Sequence, residues 1–307
     1  TAYFDWLRIK KNLDIAGSNV SRLSAHRTAA ATRLKIGEVT KTALLRAEAE
    51  LSGAQSDFTR LSNALVMSKA VVARLAGVEN PFQLKEIDPS DRAIDEILLS
   101  GLPETCRPLS LDCMLRLAST ERAEIKALGV QQKIADHQVT YTKGAYWPTI
   151  SVEAVYAKKF ETPETSGIIK ENIYGGFRIY FPLYEGGLRG AEVSEAMAKK
   201  RQADLSYADL KKSVGIEVEN AYRDFMTQTE ILQSLSDQER FARDNFFAVS
   251  KQFEYGLANS VDVMDANSLL VTAERQLSDA RYGYILSILK AQRAMGILLA
   301  NITRGKK

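Results

Sequence analysis

The placement of proline most constrains what this chain can become. All seven prolines (Pro81, Pro89, Pro103, Pro108, Pro148, Pro163 and Pro182) fall in its middle, and the flanks Thr1–Asn80 and Leu183–Lys307 hold none. A proline inside a helix removes a hydrogen bond and clashes with the preceding turn, at roughly 3 kcal/mol or more. Flanks that avoid it while staying rich in Ala, Leu, Glu, Lys, Arg and Gln favour very long helices. The two flanks also match each other. Laid side by side without gaps, Ala2-Tyr3-x-Asp5 meets Ala221-Tyr222-x-Asp224, Gly37 meets Gly256, Ala47 meets Ala266 and Leu51 meets Leu270. Further on, Arg74-x-x-Gly77 meets Arg293-x-x-Gly296. This shared phase reads as a duplicated helical hairpin.

With 45% hydrophobic and 26% charged residues among 307, the chain has the composition of a folded protein of one large or two ordinary domains. A net charge of +3, with basic and acidic residues interspersed, gives no reason to expect a nucleic-acid partner. No apolar run reaches the roughly 18–20 residues of a spanning helix. The counterpart of Thr1 in the second copy is Asn220, deep in a helical run, so the chain reads as beginning inside a helix, as a piece of a longer protein. Cys106 and Cys113 flank Pro108. On one continuous helix they would stand roughly 10 Å apart, too far to bridge, so inert thiols are expected, although a bend would permit a disulfide. His26 and His137 have no neighbours at metal-ligand spacing and read as surface or helix-face residues.

Along the chain, Thr1–Leu34 and Thr42–Val78 read as an outgoing and a returning helix broken at Gly37, with a narrow Ala- and Ser-rich stripe suited to coiled-coil packing. Val78–Arg107 reads as a linker and Leu109–Lys143 as a further helix. After Tyr146-Trp147-Pro148 the period changes to two. Ile150, Val152, Ala154 and Tyr156 share one face, and Ile173, Phe177, Ile179 and Phe181 share one face of a second stretch. Each stretch has the length of a tilted transmembrane β-strand with aromatics near its ends, although an ordinary soluble hairpin has the same period. From Leu188 a helical pattern continues to Phe253, roughly 100 Å of helix at 1.5 Å per residue. Gly256 breaks it, and Val261–Leu299 runs back.

These features resemble the TolC-like outer-membrane efflux proteins. Tyr146-Trp147-Pro148-Thr149-Ile150 is similar to the family's helix-to-strand entry, and Phe181-Pro182-Leu183-Tyr184-Glu185-Gly186-Gly187 to its strand-to-helix exit. Tyr255-Gly256-Leu257-x-x-Ser260-Val261-Asp262-Val263-x-Asp265-Ala266 resembles the tip of its second helical hairpin, and Ile36-Gly37-Glu38-Val39 its first. The resemblance implies a mainly α chain. Its very long antiparallel coiled-coil helices form part of an α-barrel, and its β-hairpin contributes to a transmembrane β-barrel. It divides the chain into a partial first helical hairpin (1–80), a linker or equatorial segment (81–108), a helix into the second repeat (109–145), a transmembrane β-hairpin (146–187) and a second long helical hairpin (188–307).

It further implies a homotrimer in the outer membrane of a Gram-negative bacterium, with a long periplasmic extension. The trimer would contact outer-membrane lipid, a periplasmic adaptor and an inner-membrane transporter, and would act as a passive conduit for efflux or type I secretion without cofactor, metal or catalysis. A chain with one β-hairpin where the family has two leaves sheet edges unpaired, so it should not close a barrel alone. Asp262 and Asp265, spaced i, i+3, share a helix face just past the second turn. Acids there stabilise the helix dipole, and the resemblance implies a further role in a carboxylate ring at the periplasmic mouth that favours cations. Ile36, Gly37, Glu38, Tyr255, Gly256 and Leu257 are the implied adaptor-docking tips. The aromatic and arginine with which family members close the mouth align with Phe253 and Ala258, so that lock is not preserved residue for residue; Tyr255 and Arg46 are candidate substitutes. A soluble coiled-coil scaffold or a periplasmic adaptor is the alternative reading.

Overall fold

The computed structural model describes residues 1–79, 82–86, 106, 109–160, 162–163, 167, 169 and 171–298. In chain order these form α1 (Ala2–Lys35), α2 (Lys41–Ala76), α3 (Leu111–Glu121), α4 (Ala123–Gly144), β1 (Thr149–Lys158), β2 (Glu171–Tyr180), α5 (Leu188–Glu254) and α6 (Ser260–Ala294). Most of the expected linker 81–108 and of the loop between the strands lies outside the described residues.

The repeat read from the sequence is repeated in backbone geometry. Gly37 and Gly256 end their helices at φ 78° and 73°, and Gly77 and Gly296 at 66° and 79°. At each site the amide just beyond the glycine reaches back to a carbonyl in the last turn: Glu38 to Arg33 (2.9 Å), Leu257 to Gln252 (2.8 Å), Val78 to Ala73 and Ile297 to Gln292 (both 3.1 Å). This six-to-one bond satisfies a carbonyl the helix itself cannot, and it needs a left-handed residue that glycine adopts without strain. The return helix α6 therefore stops at Ala294, short of the Leu299 expected from its pattern.

Two compact units are present, Thr1–Ala118 with Ile216–Lys307, and Ser119–Gly215. In the first, α6 is the most deeply packed helix. Trp6, Leu7, Val72 and Tyr282 form one buried cluster, with Tyr3, Phe4, Leu65 and Leu84 against it. Elsewhere small side chains, including Ala16, Ala30, Ala47 and Ala273, are buried among larger ones such as Leu23, Leu270 and Ile285. Alanine at the seam lets helix axes approach closely, as its stripe in the sequence implied. The segment Phe82–Glu86 is held to this unit by side chains: the Tyr3 hydroxyl donates to the Lys85 carbonyl, and Lys10 pairs with Glu86.

In the second unit, α4 and the first part of α5 are linked by Gln132 donating to Asp204 (2.9 Å) and by the Lys200–Asp136 ion pair. His137 on α4 is exposed, as expected. The strands pair antiparallel in a register that places Ile150 opposite Ile179, Val152 opposite Phe177 and Tyr156 opposite Ile173.

Two expectations fail in the stretch before the strands. The helix expected over Leu109–Lys143 is broken at Arg122, whose backbone is extended (φ −65°, ψ 125°) and which precedes the first turn of α4. Arg122 is buried and pairs with Glu124 at 3.3 Å. Cys106 and Cys113 are joined in a disulfide rather than free, with Cα atoms 5.6 Å apart. The helix starts only at Leu111, so Cys106 precedes it and the helical separation does not apply.

Candidate functional site

The two tips, Ile36–Thr40 and Tyr255–Asn259, carry most of the residues singled out in the sequence. With the backbone folded back at glycine, the flanking Ile36, Glu38, Tyr255 and Leu257 all project into solvent. Each return helix then begins at an equivalent cap. Thr40 Oγ1 accepts from the Ala43 amide at 3.3 Å. Asn259 does more: its Oδ1 accepts from the Val261 and Asp262 amides at 2.8 and 3.0 Å. Asp262 answers by accepting the Asn259 amide at 2.9 Å. This reciprocal box satisfies amides that a helix start leaves open. Asp262 is therefore engaged in holding the start of α6. Asp265, one turn on, is 71% exposed at its side chain and lies 3.8 Å from Arg46 of α2. That pair joins the two positions that the repeat makes equivalent.

The structure also gathers Phe253 into a cluster whose other members, Arg33 and His26, the sequence did not bring together with it. Arg33, in the last turn of α1, donates to the carbonyls of Phe253 (2.7 Å) and Glu254 (2.8 Å) at the end of α5. Its guanidinium lies 4.3 Å from the centre of the buried Phe253 ring. The last carbonyls of a helix lack internal partners and carry partial negative charge, so a guanidinium is well matched to them. A charge-assisted hydrogen bond is worth about 1.5–3 kcal/mol, and the cation–π contact adds about 0.5–2 kcal/mol.

His26, expected on a surface or helix face, is instead only 9% exposed. Its Nε2 lies 2.8 Å from Ser260 Oγ at the head of α6, and its ring centre lies 5.0 Å from that of Phe253. Burial first, then the Arg33 cation, hold its pKa below the ordinary histidine value. A cavity of about 400 Å³ adjoins the cluster, lined by Leu23, His26, Phe246, Phe253 and Met264 among others. Deeper along the helices, Arg22 donates to Asn267 (2.9 Å) and Glu274 (3.2 Å), and Asn267 donates to Asn19 (2.7 Å). No periodicity announces these residues, because their partners are more than two hundred positions away.

The β-hairpin has one face that is apolar from the Ile150–Ile179 pair to the Tyr156–Ile173 pair and ends in the Lys158–Glu171 ion pair (2.8 Å) beside the inter-strand loop. Ile173, Phe177 and Ile179 are 79%, 83% and 69% exposed, and Ile150, Val152 and Tyr156 beside them are exposed too. The opposite face carries Ser151, Glu153, Asn172 and Arg178, with Arg178 and Glu153 3.3 Å apart. No described helix is long and apolar enough to cross a membrane. Among the described residues, no cluster of His, Cys, Asp or Glu could hold a metal ion.

The family described as outer membrane efflux protein matches residues 114–296 of this chain. The outer membrane protein TolC of Vibrio cholerae is 23% identical over 306 residues, which are 97% of this chain and 66% of TolC. The alkaline protease secretion protein AprF of Pseudomonas aeruginosa is 21% identical over 263 residues, 85% of this chain and 53% of AprF. Among solved structures, that of CusC superposes with a TM-score of 0.82 at 16% identity, covering 96% of this chain and 66% of CusC. The chain thus spans between half and two thirds of the length of these proteins. Its fold is that of CusC, and the chain belongs to the outer membrane efflux protein family.

Proposed function

We propose that this chain is the larger part of an outer-membrane channel subunit, serving a tripartite efflux or type I secretion system. The whole protein assembles as a homotrimer, with its hairpins pooled in a lipid-embedded barrel and its helices in a periplasmic conduit. It carries no reaction; solutes pass through when the helical tips spread. The observation that carries this reading is the apolar, fully exposed face of the hairpin on a chain whose long helices end in two equivalent tips. An edge-exposed apolar sheet in water is an aggregation hazard, whereas in a closed barrel the same face meets lipid.

The mouth of the conduit is ringed by Asp265, with Asp262 one turn nearer the tip. Three protomers bring three copies of each carboxylate, and only the second repeat supplies them, since the equivalent positions of the first hold Ala43 and Arg46. Ile36, Glu38, Tyr255 and Leu257, exposed around Gly37 and Gly256, are where a periplasmic adaptor docks, and the adaptor links the conduit to an inner-membrane transporter. Asp265→Ala in the full-length protein should reduce cation over anion selectivity in planar bilayers and weaken block by polyvalent cations. Channels of unchanged selectivity would remove Asp265 from the mouth, and recovery of the full-length protein in the soluble fraction without detergent would remove the channel reading itself.

A further inference from the structure

Ionisable His26 sits where the two repeats meet, and the conduit reading makes no use of it. It belongs to α1, yet it is bonded to Ser260 at the head of α6 and lies against the Phe253 ring near the end of α5. The same ring carries the Arg33 guanidinium, which also grips the two carbonyls beside it. The three helices therefore meet at His26, beside an aromatic ring that already has a permanent cation on it.

The charges around His26 are unevenly divided. From α1 it faces Arg22 and Arg33, and from α5 Lys251 and Glu254. From α6 it meets only uncharged side chains, Ser260, Val263, Met264 and Asn267, and α2 lends no residue to this cavity. Arg22 is committed to Asn267 and Glu274. An imidazolium at this place would stand close to Arg33, out of water, with Glu254 as the lone carboxylate lining the cavity. Burial penalises the charged form, and a like charge nearby penalises it further. Neutral imidazole suits the packed arrangement, and the imidazolium suits one in which α1 has moved away.

We propose that His26 is a proton-operated release for the Arg33 grip: when His26 takes up a proton, the end of α1 parts from the α5–α6 tip and the mouth of the conduit widens. This rests on the channel reading above and adds its regulation. The packed state holds fewer protons than the released one. Packing is therefore fully favoured above about pH 6.5, the ordinary histidine value, and weakens as pH falls below it. Between pH 7.5 and 5.5, a histidine that stays neutral when packed and titrates normally when released shifts the balance by up to about tenfold per protomer.

The test is single-channel recording of the full-length trimer in planar bilayers at pH 7.5 and 5.5, with trimer assembly followed by native gel. Wild type should gain several-fold in open probability at the lower pH. His26→Gln, which keeps a hydrogen-bonding side chain but cannot charge, should gain less than half as much. Every other ionisable group is common to the two proteins, so the difference between them isolates His26. Arg33→Ala, with no grip to release, should be open to a similar extent at both pH values, and it stands in should His26→Gln not assemble. An undiminished pH response in either variant overturns the proposal. If no version produces channels at all, the conduit reading fails first, and the proposal fails with it.

Discussion

Replacing Phe177 by arginine tests whether the apolar face of the hairpin belongs in lipid. Phe177 faces Val152 across the ladder, four pairs in from the Thr149–Tyr180 end of ten. At about 3.4 Å per residue and a tilt of about 40°, ten residues span about 25 Å along the membrane normal. Phe177 then lies within about 5 Å of the midplane. Arginine at that depth on the lipid side costs about 2–4 kcal/mol per copy, or about 30- to 700-fold in the folding equilibrium. Tyr174→Arg is the internal control. Tyr174 pairs with Val155 on the face that already holds Arg178 and Glu153, so its cost should stay below about 1 kcal/mol. Folding of the urea-denatured full-length protein into lipid vesicles, read as the fraction of shifted trimer on a gel, gives both values. Equal losses at the two positions, or a tolerated Phe177→Arg, would refute the assignment of faces.

The tips offer simpler tests. Gly256→Ala should cost about 1–2 kcal/mol in urea denaturation. No atom lies within 4 Å of the position its Cβ would take, so the penalty would come from the left-handed backbone alone. Gly37→Ala should behave alike, because its φ and its surroundings are the same in kind. Asn259→Ala should cost about 1 kcal/mol through loss of the cap. Combined with Asp262→Ala it should cost less than the two separate losses added, since each half of the box depends on the other; strict additivity in a double-mutant cycle would show that the box carries no coupling.

Much of this architecture is legible in the sequence because it rests on local rules. Glycine at equivalent places in two proline-free flanks announces the paired turns, and alternation from Ile150 to Tyr156 and from Ile173 to Ile179 announces both strands and their shared face. The exposure of Ile36, Glu38, Tyr255 and Leu257 follows too, since exposure at a helical hairpin's end is a local matter. Other features are set by distant partners. Arg33 looks like any basic residue in a last helical turn until α5 brings its carbonyls alongside. His26 is on the same helix and would be a solvated side chain if Ser260 and Phe253 did not close over it. The break at Arg122 has no glycine or proline to mark it. The disulfide depends on where α3 begins, a boundary of the kind that period leaves loose by a few residues.

The Arg46–Asp265 pair reaches beyond its own modest energy. An exposed pair of this kind contributes about 0.2–1 kcal/mol, yet its members occupy the same place in two copies of one ancestral hairpin. A like-charged pair at that place would repel instead. Opposite charges now make each copy prefer the other to a duplicate of itself, an attraction of unlike partners and an aversion of like ones. In the ring of repeats proposed for the whole protein, that preference would favour alternation of the two copies around the circumference.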